Sequence, residues 1–430
     1  MKFKRETDFQ ETEIGKIPRE WKVVKLKAIS TFAKRGKTPK YGKSELLIIK
    51  TAHNYPDGIR FEEAPHASEE FLANLPKEFY LKPGDILINS TGTGSVGRVG
   101  FFEYYHKPCT VDGHITILRI NQKLVVSKYV FYYLSSSSGQ SALLSKASGS
   151  THQVELYVNE ILDLALPLPS LDEQQRIAEI LSTVDRAIEV VDAGVARLEG
   201  LKKALMRELL TGRIRVREEN GKPVFYRETE FQDTEIGKIP REWRIVKLNR
   251  IARIIMGQSP PSETYNKDGI GMPFLQGKME FGRIYPSPVM YTSDPIKIAE
   301  SNDVLISVRA PVGDVNIAPY RVCIGRGLAA IRFDPNQANY IFFFYYFQSI
   351  KERLETLGKG STFKAITKKD LEELTVVNPP LKEQKSIGEI LSTVDRAIEL
   401  YREERIRLDR LKRGLMDLLL TGKVRVVRED

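Results

Sequence analysis

From Ile177 onward, apolar residues return every seven positions at Val184, Val191, Leu198 and Leu205. A second row runs four residues further on, at Leu181, Ile188, Val195 and Leu209. Two such rows are neighbours on one helical face, so the spacing predicts an amphipathic α-helix whose stripe is broken only at Lys202. The pattern returns late in the chain. There Ile387, Val394, Tyr401, Leu408 and Leu415 form one row and Leu391, Ile398 and Leu419 the other, with Arg405 and Lys412 as charged interruptions. Ser170 followed by Glu173 predicts a capping box at the first helix start, and Gly212 and Gly422 suit C-terminal stops. Pro380 stands where the second capping serine would be. Each helix would run about 39 residues, roughly 58 Å at 1.5 Å per residue. Neither can bury its stripe alone, so the two are expected to pack on each other as an antiparallel coiled coil.

Elsewhere the pattern is short and β-prone. LLIIKT at Leu46, GDILINST at Gly84, HITILRI at His114, NDVLISV at Asn302 and LAAIRF at Leu328 are punctuated by Gly and Pro. They predict mixed α/β domains with one curved sheet and few helices. The aromatic stretches Tyr129 to Leu134 and Tyr340 to Phe347 are expected to be core helices; even the longer is far below the roughly 18 apolar residues of a membrane span.

The chain is written twice. FKRETDFQETEIGKIPREW (Phe3 to Trp21) and FYRETEFQDTEIGKIPREW (Phe225 to Trp243) agree at 16 of 19 positions. EILSTVDRAIE recurs at Glu179 and Glu389, and LLTGR at Leu209 is answered by LLTGK at Leu419. Between these blocks, Lys22 to Leu168 and Arg244 to Asn378 share only a skeleton. The fold class expected is therefore α/β (α+β): two mixed domains, 1–168 and 221–378, separated by two long helices, 169–220 and 379–430, in a pseudo-two-fold repeat.

Charge follows the same division. The 66 Lys and Arg against 56 Asp and Glu give +10, but residues 22–168 and 244–378 each hold 18 basic and 13 acidic residues and the remainder 30 of each. The whole surplus thus lies on the two domains that differ, as two polyanion-seeking surfaces. Only two cysteines occur, Cys109 and Cys323, which excludes a disulfide framework and a multi-cysteine zinc site. With a polar N-terminus, the expected setting is soluble and cytoplasmic, without membrane contact.

Catalytic motifs fail on context. Gly92, Gly94 and Gly97 spell G-x-G-x-x-G, but Arg98 and Val99 replace the Lys-Ser/Thr of a phosphate loop and RVGFFEYY looks extended. Asn378-Pro379-Pro380-Leu381 resembles the Asn-Pro-Pro-aromatic motif of adenine methyltransferases, yet Leu381 cannot stack on a base and the first copy reads Pro167-Leu168-Pro169-Ser170. All five histidines fall in the first half, so no histidine role is duplicated. No catalytic or metal-binding residue is expected, and the pattern points to a binding protein.

Taken together, the ETEIGKIPREW headers, the GDILI-like strands, the GST-containing segments at Gly149 and Gly360, and LDEQQRIAEILSTVD and LKEQKSIGEILSTVD opening the helices resemble the specificity (S) subunit of type I restriction-modification enzymes. The resemblance implies two target-recognition domains, each reading one half of a split double-stranded DNA site. It further implies two methyltransferase (M) subunits docked on the helices, and restriction (R) subunits, with S-adenosylmethionine, ATP and Mg used by those partners and no cofactor bound by this chain. The DNA-contacting candidates are polar loop residues, since phosphates position and base edges specify. In the first domain they are Lys34, Arg35, Lys37, Lys40, Thr91, Thr93, Arg98, His152 and Gln153. In the second they are Gln258, Ser259, Arg309, Arg326, Lys359, Ser361, Thr362 and Lys364. The competing readings are a self-contained site-specific DNA adenine methyltransferase and a coiled-coil scaffold without a DNA role.

Overall fold

The computed structural model describes residues 2–92, 94–149, 154–357 and 365–427. The chain divides into two compact units of mixed helix and strand: Met1–Asp192 with Glu403–Asp430, and Ala193–Arg402. Four helices organise the two units: α1 (Ser127–Ser135), α2 (Leu171–Leu209), α3 (Tyr340–Ser349) and α4 (Leu381–Leu420). Unit 1 holds α1, residues 171–192 of α2 and residues 403–420 of α4; unit 2 holds the rest of α2, α3 and the rest of α4.

Unit 1 is built on a four-stranded antiparallel sheet in the order Val99–Phe102, Asp85–Asn89, Ile115–Ile120, Ser30–Arg35. These strands alternate apolar residues onto α1, and Tyr129, Val130, Tyr132 and Leu134 are buried against Ile86, Ile88 and Leu118. Unit 2 repeats the plan as Val315–Ile317, Val304–Ser307, Leu328–Phe333, Ala252–Met256, covered by α3 with Phe342, Phe343, Phe344 and Phe347 in the core. The expected aromatic helices and the DILI, ITILRI, VLIS and LAAIRF strands are all present. One expectation falls short. Each unit carries a second sheet region around a parallel pair, Cys109–Val111 with Leu47–Ile49 in unit 1 and Val322–Ile324 with Met272–Leu275 in unit 2. Runs of three or four residues have too few side chains to show a period.

The matched blocks make matched joints. In unit 1, Phe9–Thr12 and Gly15–Pro18 form a hairpin, and Gln10 Nε2 donates to the carbonyls of Pro18, Arg19 and Trp21 at 3.3, 3.0 and 2.7 Å. Gln232 does the same to Pro240, Arg241 and Trp243 in unit 2. Trp21 Nε1–H then donates to buried Glu173 at 3.1 Å, and Arg425 meets Glu173, Glu6 and Glu20 at 2.7, 2.8 and 3.1 Å. In unit 2, Trp243 donates to Glu383 at 3.0 Å while Arg215 meets Glu383, Glu228 and Glu242 at 2.7, 2.6 and 2.9 Å. Arg215 sits in the hairpin Ile214–Glu219 with Lys222–Arg227; Arg425 sits in the equivalent pair Val424–Val427 with Lys2–Arg5. The capping box is accordingly only half formed. Glu173 N–H donates to Ser170 Oγ at 3.3 Å, but the Glu173 carboxylate is taken by Trp21 and Arg425. Gly212 and Gly422 stop the helices with φ of +70° and +72°, a left-handed backbone that favours glycine.

Along the helices, Ile177, Leu181, Val184, Ile188 and Val191 are buried, and Val195, Leu198 and Leu205 half-buried. Ile387, Leu391, Val394 and Ile398 are buried and Leu408 and Leu415 half-buried. Ile177 and Leu181 join the core of unit 1, and Ile387 and Leu391 that of unit 2. Tyr401 stays 41% exposed, its ring lying flush on Gly194, where a Cβ would come within 2.3 Å of it. Every charged interruption meets a carboxylate of the other helix. In unit 1 Lys412 pairs with Asp185 at 2.6 Å and Arg405 with Asp192 at 2.9 Å; in unit 2 Lys202 pairs with Asp395 at 2.7 Å. Within each unit the helices run antiparallel, since Asp185 meets Lys412 while Asp192 meets Arg405, and Glu199 meets Arg402 while Lys202 meets Asp395. A tyrosine completes each seam: Tyr132 Oη–H donates to Asp185 and Tyr345 Oη–H to Asp395, both at 2.7 Å.

Candidate nucleic-acid interface

In unit 1 the ends of Ser30–Arg35 and Asp85–Asn89 lie beside the starts of Val99–Phe102 and Ile115–Ile120, because neighbouring strands are antiparallel. That sheet end gathers Arg35, Lys37, Thr91 and Arg98. The Lys37 backbone pairs with that of Asp112 in an isolated β-bridge, and Thr91 pairs likewise with Glu155 and hydrogen-bonds His114 Nδ1 through its hydroxyl at 2.7 Å. Arg35 is committed: it pairs with Glu155, donates to the Leu156 carbonyl at 3.0 Å and lies over Tyr157. Hydrogen bonds from Arg35 and Tyr157 hold the Glu155 carboxyl below its ordinary range. Lys34 pairs with Glu78 at 3.0 Å and Lys40 with Glu70 at 2.7 Å, both exposed. Thr93, His152 and Gln153 lie outside the described residues.

Arg98 differs from its neighbours. Its guanidinium lies 4.4 Å over the ring of Tyr55 and donates weakly to the Thr51 carbonyl at 3.4 Å, with no carboxylate partner among the described residues. By contrast, Arg119 is locked to Asp85 at 2.7 Å and Arg332 to Asp303 at 2.8 Å, both carboxylates buried. A guanidinium placed over an aromatic face, with donors left over, can offer hydrogen bonds to an anion or a base edge. Tyr55, which also carries Arg60 at 5.3 Å, was missed in the sequence; its signal was the Pro56-Asp57-Gly58 turn that folds Asn54–Tyr55 back on Gly58–Ile59.

In unit 2 the equivalent sheet end collects Gln258, Ser259, Arg309 and Arg326. Gln258 N–H donates to the Ile324 carbonyl at 2.9 Å, and Arg326 N–H to Ser259 Oγ at 3.4 Å. Arg309 bridges to Ala365, as Thr91 bridges to Glu155 in unit 1. Arg309 and Arg326 are exposed and have no carboxylate partner among the described residues. Lys359, Ser361, Thr362 and Lys364 lie outside the described residues.

The two sheet ends share a frame but not a chemistry. Asn89 N–H donates to the Arg98 carbonyl at 2.9 Å, and Ser307 N–H to the Asp314 carbonyl at 2.8 Å, so Arg98 and Asp314 are equivalent positions. Asp314 is tied to Lys278 and Lys351, each at 2.5 Å; burial alone would raise its pKa, but the two ammonium groups outweigh burial and lower it. An open cation in one unit is thus replaced by a closed ion cluster in the other. The loop carrying Gly92, Gly94 and Gly97 simply connects two antiparallel strands, and Asn378-Pro379-Pro380 opens α4, where Gln384 Nε2 donates to Asn378 Oδ1 and the Pro379 carbonyl at 2.9 and 2.8 Å. Among the described residues no cluster of three or more His, Cys, Asp or Glu is placed to hold a metal ion, and no helix is long and apolar enough to cross a membrane.

Known proteins resemble this chain over nearly its whole length. The type I restriction modification DNA specificity domain profile matches residues 18–198 and 240–410, one match per repeat. The chain is 39% identical to the putative type I restriction enzyme MjaX specificity subunit of Methanocaldococcus jannaschii, across 99% of both proteins. It is 26% identical to the MjaVIII specificity subunit of the same organism, across 99% of this chain and 98% of that one. Among solved structures, a chain from work on complex assembly and conformational transition of the type I R-M system aligns with a TM-score of 0.56 and 26% identity, covering 95% of this chain and 99% of that one. The type I restriction-modification S subunit of M. genitalium shares the fold, with a TM-score of 0.61 at 16% identity over 93% of this chain and 96% of that one. The duplicated frame, the paired profile matches and the full-length identity agree: this chain belongs to the type I restriction-modification DNA specificity subunits.

Proposed function

We propose that the two recognition domains, residues 1–168 and 221–378, each read one half of a bipartite double-stranded DNA site, and that the helices 169–220 and 379–430 pair as one antiparallel coiled coil that sets the spacer. The observation that carries this is the pair Arg98 and Asp314: equivalent positions on one frame, one an open guanidinium over Tyr55, the other closed by Lys278 and Lys351. Two such surfaces would select different sequences. In this reading the chain is non-catalytic and cytoplasmic and binds no cofactor itself. Two methyltransferase subunits dock on the helices, restriction subunits join them, and S-adenosylmethionine, ATP and Mg serve those partners.

The contacts would come from Arg98, Lys37 and Thr91 in the first domain and from Arg309, Arg326, Gln258 and Ser259 in the second, with Arg35 holding the Glu155 segment in place. Lys34 and Lys40 would act as phosphate-side charges exchanging with Glu78 and Glu70. The test is binding of the assembled complex to bipartite-site and scrambled DNA at matched salt. Preference for the bipartite site by about 10³-fold or more is expected, and equal binding defeats the proposal.

A further inference from the structure

Unit 2 contains a cleft of about 900 Å³ between α2, α3 and the matched segment Ile236 to Ile239. Seven cations line it against one carboxylate, Glu199. Four of the seven are satisfied: Lys202 and Arg283 by Asp395, Arg402 by Glu199, and Arg207 by Glu208. Lys203, Lys238 and Arg353 have no carboxylate partner among the described residues. The floor between them is apolar, made by Met206, Leu210, Ile239 and Val377.

The equivalent place in unit 1 is a control supplied by the fold. There Met416, Leu420 and Thr421 stand where Met206, Leu210 and Thr211 stand in unit 2, and Tyr133 where Tyr346 does. Asp417 replaces Arg207, and the serine-rich stretch from Ser135 to Gln140 replaces Gln348 to Arg353. The cavity shrinks to about 310 Å³, with one cation, Arg413, and one carboxylate in its lining. Arg413 and Lys16 answer Lys203 and Lys238 across the repeat, so what sets the unit 2 cleft apart on the same frame is its larger volume, with Arg353 where unit 1 has Gln140 and Arg207 where it has Asp417.

We propose that the unit 2 cleft docks an acidic segment of a partner protein, with carboxylates flanking an apolar anchor, and that unit 1 has no such site. The proposal rests on the chain being a subunit of a larger assembly. A DNA backbone would satisfy the three open cations but place nothing on the apolar floor, whereas a side chain such as leucine between two glutamates fills both requirements. The two ends of the chain would then engage their partners unequally, with unit 2 carrying the salt-sensitive contact.

The probe is a fluorescein-labelled 16-residue Glu/Leu peptide with Leu at every fourth position, added to the full-length chain and followed by anisotropy. Binding is expected to weaken with salt and to drop at least about tenfold in the double variant K203E/R353E, with K203R/R353K retaining it and R413E, in unit 1, within about twofold of the parent. Unchanged peptide binding in K203E/R353E overturns the proposal. So does displacement of the peptide by random duplex DNA together with an equal loss of DNA binding in K203E/R353E, which would make the cleft a backbone contact. Discrimination of bipartite from scrambled DNA by the assembled complex is measured alongside. Its loss in the parent defeats the specificity reading, while its persistence without peptide binding defeats only the docking site.

Discussion

Asp395 is fully buried and accepts from Lys202 at 2.7 and 2.9 Å, from Arg283 at 2.7 Å and from Tyr345 at 2.7 Å. Replacing it with asparagine removes the only carboxylate that pairs with Lys202 and Arg283 among the described residues, and removing one member of a buried pair costs about 3–5 kcal/mol. Lys202 is 17% exposed but Arg283 is 32% exposed and can turn to water, so the lower end, about 3 kcal/mol, is expected. In a unit of this size 1 kcal/mol moves a thermal midpoint by about 2–4 °C, so the unit 2 transition of D395N should fall by about 6–12 °C. The matched variant D185N is the internal standard. Asp185 is 25% exposed and holds one ammonium, Lys412, with Tyr132, so its loss should cost about 1–2 kcal/mol in unit 1. K202M should cost less than D395N, because Asp395 keeps Arg283 and Tyr345. Scanning calorimetry with hydrogen exchange to assign each transition provides the measurement. If D395N falls within 1 kcal/mol of D185N, or K202M exceeds D395N, the argument that one buried carboxylate neutralises two cations is wrong.

Other outcomes rest on the same geometry. R98A should weaken binding of the assembled complex by about 1–3 kcal/mol and relax selection in one half-site only, read by competition with half-site variants; relaxation in both halves refutes the assignment. Burial, and then Lys50, holds the His53 imidazole below its ordinary pKa. The stability this contributes is present above the unfolded value of about 6.5 and lost as pH falls through the lower folded value. Above the range in which carboxylates protonate, from about pH 6.5 down to about 5, the unit 1 transition should thus drop, H53Q should flatten that drop, and unit 2, which has no histidine, should show none. Burial pushes the Cys109 thiol up to about 12 and also raises Cys323, so neither should react with an aromatic disulfide at pH 8 until the chain is unfolded. Inserting seven residues at matched places in both helices adds about 10 Å, which should lengthen the tolerated spacer by about three base pairs at 3.4 Å each. Genome-wide mapping of methylated adenines would show this, and a changed half-site would contradict the separation of reading from spacing.

Much of the fold was legible because its signals are periodic or duplicated. The seven-residue rows located both helices to within a few residues, and the aromatic stretches marked α1 and α3. Of the second sheet region only LLIIKT, which holds Leu47–Ile49, was legible, since strands such as Cys109–Val111 and Val322–Ile324 carry three residues each without a longer apolar run. Their pairing also places the two cysteines, one per unit, in apolar cores, which length and spacing could not show. At the candidate interface the residue types were legible but their availability was not. Arg35 and Arg98 look alike in sequence, yet one is spent on Glu155, 120 positions away, and the other is left open over Tyr55.

The charged interruptions show the same limit and explain the duplication. Lys202, Arg405 and Lys412 look like flaws in an apolar stripe because their partners Asp395, Asp192 and Asp185 lie on another helix, in a register that only an antiparallel fold defines. The Trp21–Glu173–Arg425 joint is likewise assembled from three distant segments and recurs as Trp243–Glu383–Arg215. Loss of Arg425 or Arg215 strands the buried Glu173 or Glu383, at about 3–5 kcal/mol, and loss of either tryptophan leaves that carboxylate one donor short, so all three segments are kept together in both copies. At the sheet ends the ion pairs, Arg35 with Glu155 and Asp314 with Lys278 and Lys351, stay within one domain and differ between the copies. Arg98 can stand where Asp314 stands because the strand register there is set by backbone hydrogen bonds, from Asn89 and Ser307, that ignore the side chain. The matched blocks are therefore matched because their buried charges depend on one another across distant segments, whereas the position held by Arg98 in one copy and Asp314 in the other can differ because its register is fixed by backbone hydrogen bonds.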